Sequence, residues 1–457
     1  MERMNEYSVQ QLASAMNGFL QQGRGDFIVT NGVSTDTRSI QKGSLFVALK
    51  GENFDAHNFL QQAVEGGAGA LLVENGDNLP EGVPVILVDD TLAGLQRLAE
   101  WYRRGLSFRV VAISGSNGKT STKDFTRSVL SQKLKVNATQ GNLNNHIGLP
   151  LTILATEGDD EAGIFEMGMN HSGELERLCE IGRPDISIIT NVGTAHIENL
   201  GSREAIAIEK GTLARALTSE GTLLVPADCD FVEQYREETE GKVIVVGGDD
   251  SPVRAENIVP GANGSQFELI IEGVGRFATS ISVPGRHMVS NALLAAGAGW
   301  VLGLSLEEIS AGLSEAGLTS GRLRQFDCRG ISVIDDTYNA NPESVIAALE
   351  TLASLPGSGR RIAALGIMAE LGSYAKAAYQ RVGRLAAERD LCLVAVGDDA
   401  VGMSDGAREA GGEAHQFSKP ESASEWLSAN TRSGDLVLFK GSRMAAMERV
   451  MNQSFPS

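Results

Sequence analysis

Cysteine is scarce in this sequence. Its four thiols, Cys179, Cys229, Cys328 and Cys392, stand far apart with no C-x-x-C pair. Such spacing argues against a disulfide framework and for reduced, partly buried thiols. Long apolar runs are missing as well. No stretch of about 18 apolar residues occurs, so no membrane-spanning helix is expected. The first residues, Met-Glu-Arg-Met-Asn-Glu-Tyr, lack the apolar core of a signal peptide. A cytoplasmic protein without membrane insertion is the expectation. Positive charge is also in deficit: 39 Lys and Arg face 58 Asp and Glu, a formal charge of −19. A surface of that sign repels DNA, RNA and anionic lipid, so no nucleic-acid partner is expected. Any phosphate ligand must then be met by a local basic or amide-lined pocket. Internal repeats and low-complexity tracts are absent.

What is present is an α/β pattern too long for one core. Short apolar strands at 44–49, 70–73 and 85–88 alternate with helical patterns at 58–66 and 91–104. A β-branched run at 108–113, a glycine turn and a helical pattern over 119–134 follow, which is the opening of a nucleotide-binding domain. Strands are expected at 163–166, 186–191, 222–225 and 243–246, antiparallel strand material at 264–282, and a helix at 291–302. Alternation then resumes with strands 331–335, 361–365, 391–396 and 435–439 and helices after Pro342, at 375–389 and at 445–453. Three α/β domains with mostly parallel sheets are expected: a small one over 1–105, a central P-loop domain over 106–318 and a Rossmann-like one over 319–457.

The most specific local signal is Gly115-Ser116-Asn117-Gly118-Lys119-Thr120. Glycines let successive N–H groups turn toward phosphate oxygens, Lys119 would neutralise the β- and γ-phosphates of ATP, and the Thr120 hydroxyl would face Mg²⁺. The helix starting there adds its positive end. Position 113 is Ile, where the general G-x-x-x-x-G-K-[ST] pattern has glycine. Glu166, Asn191 and His196 follow at or beyond the ends of later strands. In open α/β sheets such ends form the ligand crevice, where carboxylate and imidazole can hold Mg²⁺ or orient a reacting group. Asn341-Pro342 reads as a helix cap after Asp335 and Asp336.

Taken together, Gly-Ser-Asn-Gly-Lys-Thr-Ser (115–121), Gly-Asn-Leu-Asn-Asn-His-Ile-Gly-Leu-Pro (141–150), Glu-Met-Gly-Met-Asn-His (166–171), Asn-Val-Gly-Thr-Ala-His (191–196), Gly-Arg-His (285–287) with Asn291, and Asp-Asp-Thr-Tyr-Asn-Ala-Asn-Pro (335–342) resemble the Mur ligases of peptidoglycan synthesis. The resemblance implies an ADP-forming ligase that adds D-alanyl-D-alanine to UDP-N-acetylmuramoyl-tripeptide through an acyl phosphate. It implies two metal ions, one at Thr120 and Glu166, the other at His196 and a carbamylated Lys210. Lys119, His196 and Lys210 become the catalytic set, and the loop 115–121, Ser121 included, the ATP site. Asn291, Asp336, Tyr338 and Asn341 would surround the adenosine. Asn142 and Asn145 would meet substrate and phosphate, and Arg322, Lys440 and Ser442 the anionic groups. Ser34, Thr35, Asp36 and Arg38 would bind the UDP moiety in the N-terminal domain. A monomer is expected. Another ligase of the same superfamily and a non-catalytic nucleotide-binding homologue remain alternatives.

Overall fold

A computed structural model describes residues 7–261 and 264–456. Residues 1–6 of the amino-terminal segment read above lie outside them. Three separate sheets organise the chain, and each is mostly parallel.

The central sheet has nine strands. From one edge they run Val136–Ala138, Ala162–Glu166, Arg109–Ser114, Ile186–Ile189, Thr222–Pro226, Lys242–Val246, Val253–Gly261, Gly264–Ile271 and Gly275–Ile281. All neighbours pair in parallel through Val253, and the last three strands form antiparallel hairpins. Val110, Val111 and Ile113 are fully buried in Arg109–Ser114, as expected of a β-branched strand covered on both faces. Because its neighbours are Ala162–Glu166 and Ile186–Ile189, three strand ends converge. One leads into the glycine loop, one ends on Glu166, and one leads to Asn191.

The N-terminal sheet runs Phe19–Gln22, Val85–Leu87, Ala70–Val73, Leu45–Val47 and Val33–Ser34, antiparallel only at its first pair. The C-terminal sheet runs Arg324–Cys328, Ile331–Asp336, Leu436–Lys440, Arg361–Leu365, Cys392–Val396 and Ala414–Phe417, again antiparallel only at its first pair.

Several element boundaries differ from the sequence reading. The helix expected at 291–302 is Arg286–Val301, starting behind Gly285. Its N-cap is Gly285, with no side-chain cap to mark the start, and residues 291–299 are buried throughout. The helix expected to reach 134 stops at Leu130, where Ser131 caps it. The pattern at 58–66 divides into a 3₁₀ turn, Ala56–Phe59, and the helix Leu60–Glu65. Among the described residues no helix is long and apolar enough to cross a membrane.

The C-terminal domain is docked on the central one through polar contacts. The Thr319 N–H and hydroxyl both donate to Asp124 Oδ2 at 2.8 Å. The Thr194 N–H and hydroxyl donate to Glu343 at 3.1 and 3.0 Å. Asn341 Nδ2 donates to Asn117 Oδ1 at 2.7 Å.

Candidate active site

The glycine loop joins Arg109–Ser114 to the helix Lys119–Leu130 and is pinned from the neighbouring strand end. Ser116 N–H donates to Asn191 O at 3.2 Å, Asn117 N–H to Asn191 Oδ1 at 2.9 Å, and Gly193 N–H to Ser116 Oγ at 2.9 Å. Two glycines cannot be replaced here without a shift. A Cβ on Gly115 would fall 1.8 Å from Thr190 Oγ1, and one on Gly118, at φ +80°, would fall 2.5 Å from Asn291 Oδ1. Gly118→Ala is therefore expected to cost about 1–2 kcal/mol from the left-handed backbone alone, before the side-chain clash. Urea denaturation should show the loss, and unchanged stability would rule out this account of the loop.

Lys119 folds back so that its Nζ donates to Gly115 O at 2.6 Å. Burial holds its ammonium below the usual lysine range, with Glu166 opposing and Arg322 reinforcing. Thr120 is buried beside it, and Arg322 Nη2 donates to its hydroxyl at 3.4 Å while the guanidinium covers the Tyr338 ring at 4.2 Å.

Glu166 is 2% exposed. Its Oε1 accepts from Asn144 Nδ2 at 2.8 Å, while Oε2 is buried without a donor. An anionic oxygen left so is costly, and a cation offsets that cost. With the Thr120 hydroxyl it offers oxygen donors suited to a hard divalent ion.

His196 follows the strand Ile186–Ile189 and lies at φ +63°. Its Nδ1 is hydrogen-bonded to Glu370 of the C-terminal domain. Burial, then the charge of Lys119, pushes its pKa below the usual histidine value, while Glu370 pulls the other way. Lys210, on the helix Arg203–Arg215, is 1% exposed, and among the described residues no carboxylate pairs with it. Glu209 beside it is engaged elsewhere, accepting from Gly173 N–H at 2.8 Å and Leu175 N–H at 2.9 Å. Burial lowers the Lys210 ammonium well below the usual lysine range, and Lys119 adds to that.

A cleft of 430 Å³ brings together Ser116–Thr120 of the loop, Asn142, Asn145, Glu166, His196, Arg322, Tyr338, Asn341 and Ser442. A smaller cavity of 110 Å³ continues it past Asn117 and Gly118 to Ser121, Asn291, Asp336 and Lys440. Lys440 is buried, with Nζ 2.6 Å from Asp336 Oδ2 and 2.9 Å from Asn339 O. His287 borders this cavity, its pKa brought down to about 4 chiefly by burial. Gly115 contributes the carbonyl that takes Lys119. Lys210 is not on the cleft wall but acts electrostatically on His196.

Asn145 differs from the role expected of it on one side. Its Oδ1 accepts from Ile147 N–H at 3.1 Å and Gly148 N–H at 2.9 Å, so that atom starts the helix Gly148–Leu154. Asn144, which the sequence reading did not single out, instead holds Glu166. Glu370 was likewise not singled out; Asn144 stands inside the 141–150 motif, whereas Glu370 belongs to none of the motifs quoted above.

Ser34, Thr35, Asp36 and Arg38 lie outside both cavities. Arg38 and Asp36 pair at 2.6 Å at the surface, holding the Asp36 carboxyl at about 2. The strand Val33–Ser34 contacts the helix Gly148–Leu154, and Gln96 donates to His146 O at 3.0 Å. The N-terminal domain therefore abuts the loop 142–146 that walls the cleft.

Two other features carry no converging chemistry. A depression of 1120 Å³ at the seam between the first two domains is the larger in volume. Three of its four arginines are committed, Arg103 to Gly182 O and Leu106 O, Arg104 to Glu100 and Arg215 to Glu238. Cys392, Glu413 and His415 cluster at the far edge of the C-terminal sheet, but Arg360 pairs with Glu413 at 2.7 Å and supplies the cation there.

Comparison with known proteins agrees with this geometry. The family model described as Mur ligase middle domain matches residues 113–299, the Mur ligase glutamate ligase domain 321–443, and the Mur ligase family catalytic domain 29–103. The UDP-N-acetylmuramoyl-tripeptide–D-alanyl-D-alanine ligase of Bacillus subtilis (strain 168) is 35% identical over 99% of this chain and 99% of its own. The crystal structure of MurF from Acinetobacter baumannii superposes with a TM-score of 0.91 at 32% identity, covering 98% of each chain. MurF ligase from Thermotoga maritima in complex with ADP gives 0.83 at 26% identity, covering 93% of this chain and 97% of that one. With three family domains matched in order and near-complete coverage of such relatives, this chain belongs to the Mur ligase family.

Proposed function

We propose that this enzyme joins D-alanyl-D-alanine to UDP-N-acetylmuramoyl-tripeptide at the expense of ATP, giving the UDP-linked pentapeptide used in peptidoglycan synthesis. The observation that carries the reading is the end-to-end similarity to D-alanyl-D-alanine-adding ligases, joined to a phosphate loop and an acid in one cleft.

In this reading the terminal carboxylate of the tripeptide attacks the γ-phosphorus of ATP. A carboxylate O–P bond forms, the bond to the β-phosphate oxygen breaks, and ADP leaves. The amine of D-alanyl-D-alanine then attacks the acyl carbon, a C–N bond forms, the amine gives up a proton, and inorganic phosphate departs. Lys119 leaves the Gly115 carbonyl for the β- and γ-phosphate oxygens, which the N-terminus of the helix Lys119–Leu130 also attracts. Asn142 and the amide nitrogen of Asn145 position carboxylate and phosphate. Arg322, Lys440 and Ser442 close over the anionic groups from the C-terminal side. Asn291 and Asp336 of the smaller cavity, with Tyr338 and Asn341 of the adjoining cleft, surround the adenosine. Ser34, Thr35, Asp36 and Arg38 hold the distant UDP group, whose binding energy orients the reacting end.

Thr120 and Glu166 are the residues for one Mg²⁺, His196 and a carbamate on Lys210 those for a second, and bound Mg²⁺ would disperse the charge of the transferring phosphoryl group. Because the C-terminal domain covers the cleft, water is kept from an acyl phosphate that it would hydrolyse. In this reading the enzyme acts as a monomer, in the cytoplasm where ATP is found.

ADP release by the purified protein with Mg²⁺ and ATP tests the reading. Release should require UDP-muramoyl-tripeptide and D-alanyl-D-alanine together. An equal rate with either one alone, or with another amino acid in place of the dipeptide, would reject the substrate assignment. Running both the diaminopimelate and the lysine tripeptide identifies the third residue.

A further inference from the structure

The contact between His196 and Glu370 crosses a domain boundary. His196 belongs to the central domain, and Glu370 lies on the loop after the C-terminal strand Arg361–Leu365. Both are non-glycine residues in the left-handed region, His196 at φ +63° and Glu370 at φ +60°. Such conformations cost energy and persist where the surroundings over-determine them, as at functional sites. Here the surroundings are each other's loops. Glu198 N–H donates to Glu370 O at 3.4 Å, and Tyr374 Oη donates to Gly201 O at 3.4 Å. Behind Glu370, Met368 N–H donates to Tyr379 Oη at 2.8 Å, and that hydroxyl returns a bond to Met368 O at 3.0 Å. The loop is thus held from its own domain and from the opposite one.

A carboxylate only accepts, so the hydrogen between the two groups belongs to His196 Nδ1. That fixes the ring's orientation and tautomer and leaves Nε2 as its coordinating atom. A metal-bound histidine is oriented in this way by a carboxylate on its other nitrogen. From this geometry we infer that Glu370 is a positioning residue for His196, reaching in from the C-terminal domain, so that the His196 metal site is complete only when that domain is docked. The inference rests on His196 being a metal ligand.

Mn²⁺ titrated into the full-length protein in the presence of the non-hydrolysable analogue AMP-PNP, with the free ion followed by electron paramagnetic resonance, separates the two claims. His196→Ala should remove one class of bound ion. Glu370→Ala should weaken the same class about 10- to 100-fold. Glu370→Gln, whose amide oxygen still accepts from Nδ1, should restore most of the affinity. The double variant should bind no more weakly than His196→Ala, because the second deletion acts through the first. Thermal melting checks the fold of each variant, and the glutamine variant serves if the alanine variant unfolds. Affinity within twofold of wild type for Glu370→Ala, while His196→Ala loses the site, would overturn the positioning role alone. Unchanged binding in His196→Ala would overturn the ligand role beneath it.

Discussion

Lys119→Ala is expected to lower substrate-dependent ADP release by about a thousandfold or more, with no loss of folding stability. The size follows from the charge involved. Removing a single preorganised donor at a site of developing negative charge typically costs about 10²–10³ in rate, and a full cation at the transferring phosphate sits at or above that range. The stability half follows from the surroundings of Nζ. Its one protein hydrogen bond is to Gly115 O, and burial already disfavours its charge. Deleting it removes a desolvation cost along with that bond. Melting temperature and ADP release measured on one preparation would show the two effects dissociating. Turnover near wild type would end the phosphate-loop reading, and unfolding would mean that the lysine is structural.

Much of this site is legible in the sequence because its parts follow strand ends. Gly115, Glu166 and Asn191 each lie at or just past the end of an apolar run, and the parallel order of three adjacent strands brings those ends together. Position along the chain therefore translates into position in the cleft. Residues that act by crossing between elements are different. Asn144 reaches Glu166 from a loop, where the 141–150 motif does not tell it apart from the asparagines on either side, and Glu370 reaches His196 from another domain with no periodicity or spacing to mark it. The helix Arg286–Val301 loses its start because its N-cap, Gly285, offers no side-chain capping signal. Other elements were available to a closer reading. Val9–Ala15 and Leu306–Glu315 both begin with a Ser-x-x-Gln or Ser-x-x-Glu capping box, and both boxes form, at Ser8 with Gln11 and at Ser305 with Glu308. Arg324–Cys328 is hard to read because its exposure alternates weakly at the sheet edge.

Replacing Lys210 is expected to separate stability from function most sharply. Lys210→Ala should bring ADP release to background, with partial recovery on adding a short carboxylate such as acetate, while Lys210→Met should be as inactive and more stable than wild type. Both follow from a buried amine without a carboxylate partner. Its folded pKa is depressed, so between that value and the ordinary lysine range the unfolded chain binds one more proton than the folded one. Stability contributed at this position is lowest at acid pH and rises as pH climbs toward the usual lysine pKa. Methionine of similar length removes that penalty, and the pH-dependent part of the stability should go with it. The same depression raises the share of neutral, nucleophilic amine. Its lone pair can add to CO₂, forming an N–C bond and releasing one proton to water, so that a cation becomes an oxygen donor. ¹³C-labelled CO₂ followed by NMR should give a carbamate carbon signal in wild type that Lys210→Met lacks, and CO₂-depleted buffer should slow wild-type turnover. Full activity in Lys210→Ala, or wild-type activity with no carbamate signal and no response to CO₂, would leave this lysine as a buried cost without a chemical role.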